Sequence, residues 1–191
     1  MRRLATFCIR GLFLLLPFLL LVALWSKHTR WFFWFALVLF LLRTTLPLYI
    51  ADKRLAAVER AVCCIGISIC LCCLIRNIHF PLLWYPVAVN ALFLIVFVSS
   101  LFGTTTIVEF IARMSSRGKP FPPSAVRYTR NVTWCWVVFF VINLSVSTWT
   151  VLSGDIYCWT AWNGCISYIL MGLLAGGEYL VRRTLCNAQD S

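Results

Sequence analysis

Six apolar runs constrain this 191-residue chain more than any motif in it. They fall at about 7–26, 31–50, 58–75, 86–108, 132–153 and 158–180, each near the ~20 residues that a helix needs to cross a hydrocarbon core. Backbone polar groups in lipid must be bonded within the protein, so runs of this length fold as helices rather than as open strands. The expected fold is all-α: a polytopic, six-helix transmembrane bundle forming one domain over 1–191. Flanking residues extend some runs, giving expected helices at about 7–26, 31–50, 58–75, 86–115, 125–153 and 158–183. At 62% apolar, 16% aromatic and 12% charged, little chain is left for a soluble domain.

The basic residues set the expected orientation. When the connections are assigned alternately to two sides, fourteen of the 17 Lys and Arg fall on one side and three on the other. The crowded side is expected to be cytoplasmic, with both termini inside. A net charge of +11 would suggest nucleic acid in a soluble protein. Here the cations sit at the ends of apolar runs, where anionic headgroups attract them, so membrane lipids are the expected partners and nucleic acid is not. Arg2 and Arg3 before an apolar stretch imitate a signal peptide. The stretch ends in Ala23-Leu24-Trp25-Ser26, a poor cleavage site, and the segment is expected to stay as the first helix.

The connections carry their own signals. Ser26 to Arg30 lies among Trp25, Trp31 and Trp34, as at a membrane interface. Residues 51–60 are charged and contain no helix breaker, which predicts that the inner connection after the second span is a helical extension. Pro81 and Pro86 place the start of the fourth helix near Pro86, with 77–85 as a loop or interfacial segment. Pro120, Pro122 and Pro123 stiffen the longest inner connection. Gly154 and Asp155 mark a short outer turn.

Ten cysteines suggest a framework until they are placed. Cys63, Cys64, Cys70, Cys72 and Cys73 share the third span, where they read as small polarizable packing residues. Cys158 and Cys165 are about 10.5 Å apart on a helix, too far for a disulfide unless the chain folds back. His28 and His79 both map to outer connections but have no third ligand or carboxylate, so no metal site is expected. Zinc-protease, histidine–aspartate and phosphate-loop signatures are missing from the sequence, and no cofactor is expected.

One echo stands out. Gly103 precedes Glu109, Phe110, Ile111, Ala112 and Arg113, and Gly172 precedes Glu178, Tyr179, Leu180, Val181 and Arg182 at the same spacing. In each copy Glu lies four residues before Arg, the better orientation for pairing on one helix face. With Arg127, Tyr128 and Arg130 at the start of the fifth helix and Arg183 at the end of the sixth, these residues suit a basic pocket. Glu109, Arg113, Arg127, Tyr128, Arg130, Glu178, Arg182 and Arg183 form the candidate site, for an anionic headgroup or an acidic carrier. The plain alternative is two salt-bridged helix ends that obey the positive-inside rule. Within the membrane Asn90, Asn143 and Asn163, with Ser99, Ser100 and Ser145, read first as interhelical hydrogen-bonding positions.

The second half resembles a known group. Tyr85-Pro86 with Asn90, Ser99-Ser100-Leu101, Glu109 with Ala112-Arg113, and Tyr128-Thr129-Arg130-Asn131-Val132-Thr133-Trp134 carry the likeness. So do Phe139-Phe140 with Asn143, Asn163-Gly164, Ser167-Tyr168, Leu170-Met171-Gly172, and Glu178-Tyr179 with Val181-Arg182. Over about residues 84–183 the chain resembles an uncharacterised family of small bacterial inner-membrane proteins encoded in aryl-polyene (xanthomonadin-like) pigment clusters. Trp162 departs from the Tyr expected before Asn-Gly.

The resemblance implies an inner-membrane accessory to synthesis or delivery of a polyene acyl lipid, with acyl carrier protein or polyene biosynthetic enzymes as partners. Two other functions compete with a non-enzymatic accessory. One is a transporter or flippase for an anionic lipid, with Asn90 and Asn143 on its route. The other is a membrane acyl or lipid transferase using Glu109 or Glu178 as base. No catalytic residue is assigned.

Overall fold

The computed structural model describes residues 29–44, 52–76, 80–115 and 122–187. All secondary structure among them is helical, as the apolar runs require. The elements are α1 (Thr29–Arg43), α2 (Lys53–Arg76), α3 (Phe80–Leu83), α4 (Tyr85–Leu101), α5 (Ile107–Ser115), α6 (Pro123–Ser153) and α7 (Ile156–Thr160). A π-helical segment (Ala161–Ile166) then leads into α8 (Ser167–Asn187). Four stretches are long and apolar enough to cross a membrane: Lys53–Arg76, Phe80–Leu101, Pro123–Ser153 and Ile156–Val181. The expected first span, 7–26, lies outside the described residues, as do 45–50 at the end of the second and both histidines, His28 and His79.

The ends of these helices have local causes. Asp52 caps α2, its carboxylate accepting from the backbone N–H groups of Arg54 and Leu55 at 2.8 and 3.0 Å, so the charged 53–60 stretch is helical as its composition predicts. Pro86 occupies the first turn of α4, where its missing N–H costs nothing. Pro123 opens α6 in the same way, and at 31 residues α6 is about 46 Å long. That exceeds the ~30 Å hydrocarbon core, so its polar start stands beyond the apolar layer. Gly154, with φ of 69°, makes the turn before α7, a conformation open to glycine at no steric cost.

One expectation needs correction. The helix predicted over 86–115 is two helices, interrupted at 102–106. Gly103 has the lowest helix propensity short of proline, and Thr104, Thr105 and Thr106 follow it with β-branched, hydrogen-bonding side chains. Thr106 turns the break into a new start: its hydroxyl accepts from the Glu109 N–H at 3.3 Å and its carbonyl from the Phe110 N–H at 2.8 Å.

The chain divides into two compact units, Met1–Val89 with Ser147–Gly164 and Asn90–Val146 with Cys165–Ser191. In the first, α1 buries Phe33, Ala36, Leu37 and Phe40, the spacing of one helix face. Facing them α2 buries small residues, Ala56, Cys63, Gly66, Cys70 and Cys73, and Leu82, Val151 and Trp159 complete this core. The Phe40 ring lies so close to α2 that Gly66 leaves no room for a Cβ against it. Tyr85 meets the same ring edge-on at 5.5 Å. Small side chains that admit a neighbouring ring are how helices associate where lipid offers no hydrophobic drive between them.

In the second unit α4 and α6 run antiparallel in a fixed register. Asn90, Phe93 and Phe97 face Asn143, Phe140 and Trp136 in turn, with ring centroids 5.6 and 5.8 Å apart for the two aromatic pairs.

Candidate functional site

The basic end of α6 is anchored from both sides within the second unit. An Arg130 Nη2 donates to the Leu101 carbonyl at 3.2 Å. That carbonyl belongs to the last turn of α4, which has no onward helical partner and carries the negative end of the helix dipole. Two residues earlier, the Tyr128 hydroxyl donates to the Glu178 carbonyl of α8 at 3.4 Å. Arg130 and Tyr128 are thus tied to neighbouring backbones.

Glu109 and Arg113 pair as their spacing predicts, with Nε and Nη2 of Arg113 at 2.8 and 2.7 Å from one Glu109 oxygen. The pair is lopsided: the Glu109 side chain is 4% exposed and the Arg113 side chain 48%. A buried carboxylate holds an outward-facing cation in place. Arg127 is also exposed, and Glu178 is half-buried. The side chains of Arg182 and Arg183 lie outside the described residues, so the Glu–Arg pairing of the second copy is not described, although its backbone is. That backbone differs from the first: Gly103 sits in the break between α4 and α5, whereas Gly172 lies inside continuous α8.

The three intramembrane asparagines are all buried. Asn143 Nδ2 donates to Asn90 Oδ1 at 2.8 Å, and Asn143 Oδ1 accepts from the Ser167 hydroxyl at 2.6 Å, joining α4, α6 and α8. In the first unit Asn163 Oδ1 accepts from the Ser147 hydroxyl at 2.7 Å. Its Nδ2 donates to Thr150 Oγ1 at 3.2 Å and to the Trp159 carbonyl at 3.1 Å. The bond to Trp159 bridges the wider turn of the π-helical segment. Ser99, Ser100 and Ser145 do otherwise than expected, each donating to a carbonyl three or four residues back in its own helix.

Sequence reasoning missed Ser147, Thr150 and Ser167. The signal was present: 143, 147 and 150 share one helical face, and so do 163 and 167. It missed Arg43–Glu59 as well, in which Nε and Nη2 of Arg43 donate to one Glu59 oxygen at 3.0 and 2.7 Å, tying α1 to α2. Cys158 and Cys165 are free thiols. Among the described residues no group of three or more His, Cys, Asp or Glu could hold a metal ion.

Comparison of the chain with protein-family models, with curated proteins and with solved structures finds no match. What the site does has to follow from its own donors and charges. Those are cations fixed by carbonyl and carboxylate partners at one end of a helical membrane unit, with a satisfied amide network deeper in it.

Proposed function

We propose that this protein is a non-enzymatic accessory of the bacterial inner membrane whose basic cytoplasmic face docks an acidic acyl carrier protein or a polyene biosynthetic enzyme. Docking there supports synthesis or membrane delivery of an aryl-polyene-type acyl lipid. The pigment-cluster resemblance over 84–183 supplies the pathway, and the excess of basic residues on one side supplies the orientation, with both termini inside.

One observation carries the docking role: Arg113 stands 48% exposed on a buried Glu109. A guanidinium already fixed by a carboxylate loses little side-chain freedom when it meets a second anion, and its planar fork suits carboxylate and phosphate alike. Arg127, exposed at the start of α6, adds charge that steers an acidic partner.

A flippase is the second reading, drawing on the buried Asn90 and Asn143. Their amides bond each other and Ser167, which suits a joint between helices better than a route for an anionic headgroup.

The test is co-purification of the tagged protein with acyl carrier protein from cells making the pigment. Arg113→Gln with Arg127→Gln is expected to reduce capture at least tenfold while membrane insertion is unchanged. Undiminished capture by that variant would remove the docking role. Pigment accumulating in the inner membrane of the variant, with carrier capture intact, would favour the flippase.

A further inference from the structure

The first unit carries a separate charged face that the docking role does not use. Along α2 the exposed residues Lys53, Ala57, Arg60, Cys64, Ser68, Leu71 and Ile75 are spaced so that they lie on one side of the helix. Arg54 is exposed beside them. The face is cationic through its first two turns and, apart from Ser68, apolar from Cys64 to Ile75.

The local acids are already engaged. Asp52 accepts the N–H groups of Arg54 and Leu55 as the helix cap, and Glu59 takes two bonds from Arg43. Among the described residues Lys53, Arg54 and Arg60 have no acidic partner. Lys53 and Arg54 also occupy the first turn, which holds no acidic residue and where the macrodipole already places positive charge. The Asp52 carboxylate at the cap answers the dipole itself, and the three cations remain as a net positive cluster that an external anion would stabilise. Side chains on a helix lean toward its N-terminus, so Arg60 reaches back toward Lys53, which lies on the same face two turns earlier.

We propose that this face of α2 binds an anionic phospholipid, its phosphate held by Lys53, Arg54 and Arg60 and one acyl chain laid along Cys64, Leu71 and Ile75. Charge complementarity selects the occupant. Cations at the end of a span lie at headgroup depth, and the apolar continuation of the same face runs where an acyl chain lies. The small side chains of Ala57 and Cys64 leave room for the glycerol region between the two. The site stands apart from carrier docking, since it uses no residue of the second unit.

Full-length protein reconstituted in mixed phosphatidylglycerol and phosphatidylcholine vesicles, then extracted in mild detergent, tests this by mass spectrometry of the retained lipid. Wild type is expected to retain phosphatidylglycerol enriched several-fold over the vesicle ratio. Lys53→Gln with Arg60→Gln should bring that ratio back to the bulk value, whereas Arg113→Gln with Arg127→Gln, removing equal charge, should leave most of it. Equal loss in both variants would mean a diffuse field rather than a site and would overturn the proposal, as would no enrichment in wild type.

Displacement of the lipid by millimolar inorganic phosphate alone would also overturn it, by making this a soluble-phosphate site. Should the double variant not fold, the single Lys53→Gln and Arg60→Gln variants must each lower the enrichment, and a flat response in both counts against the proposal. Carrier capture by Lys53→Gln with Arg60→Gln should stay at the wild-type level, which separates failure here from failure of the docking role.

Discussion

The two units hold themselves together by different means, although both are built from apolar helices. In the first, large side chains of α1 sit against small ones of α2, and the Glu–Arg pair joins the two helices, Arg43 to Glu59 across 16 residues. In the second, asparagines and aromatic rings set the register, and the Glu–Arg pair stays within one helix, Glu109 to Arg113. The lesson is about where charge goes. An ion pair between helices is a fastener, and one along a helix holds its cation facing outward, where a partner can reach it.

The sharpest way to break this contrast is at glycine. Gly66→Ala forces a Cβ into the Phe40 ring and is expected to cost about 2–3 kcal/mol. Gly176→Ala in the second unit, where a Cβ meets nothing within 4 Å, should leave stability unchanged or raise it by up to about 1 kcal/mol. Both are read from unfolding midpoints in micelles. Comparable losses at the two sites would erase the distinction between close-packed and polar-registered units.

Charge removal comes next. Glu59→Gln weakens a bond between helices and is expected to cost about 1.5 kcal/mol. Glu109→Gln should cost less in stability and more in carrier capture, because it releases Arg113. A larger stability loss at Glu109 would reverse the assignment of fastener and presenter.

Asn143→Leu follows, at about 1 kcal/mol, since polar bonds between membrane helices contribute modestly. In a double-mutant cycle with Asn90→Leu the coupling should be about 0.6 kcal/mol. No coupling would mean that the aromatic pairs alone set the register.

The smallest effect lies in the turn before α7. Bonds from the Cys158 thiol, then from the backbone N–H groups of Cys158 and Tyr157, hold the Asp155 carboxyl below its ordinary value. A carboxylate whose pKa is lowered by folding stabilises the folded state at pH values above its unfolded pKa. That contribution fades as pH falls through the folded value. Wild type should therefore lose a small part of its thermal stability below the ordinary aspartate range, and Asp155→Ser, which caps without charge, should lack that component. Identical pH profiles would assign Asp155 no electrostatic role.

Much of the fold was legible because the period and length of apolar runs report directly on lipid. Legible too were the Glu109–Arg113 pair, the Gly154–Asp155 turn and the burial of three asparagines, each a matter of short spacing or of polarity in an apolar segment. The break at 102–106 was misread, since hydropathy continues across Gly103 and the threonines while helix propensity fails there. Arg130 was legible as a cation at a helix end, but its partner, the Leu101 carbonyl 29 residues earlier, is a backbone atom that leaves no mark in the sequence.

By itself, then, the sequence determined helices, spans and the crowding of cations at their ends, because each depends on a residue and its near neighbours in water or lipid. The tertiary structure decided which cation caps a helix, which is held outward and which asparagine meets which. Those outcomes depend on the register between helices distant in the chain, and in lipid that register is chosen by packing and hydrogen bonds rather than by hydrophobicity.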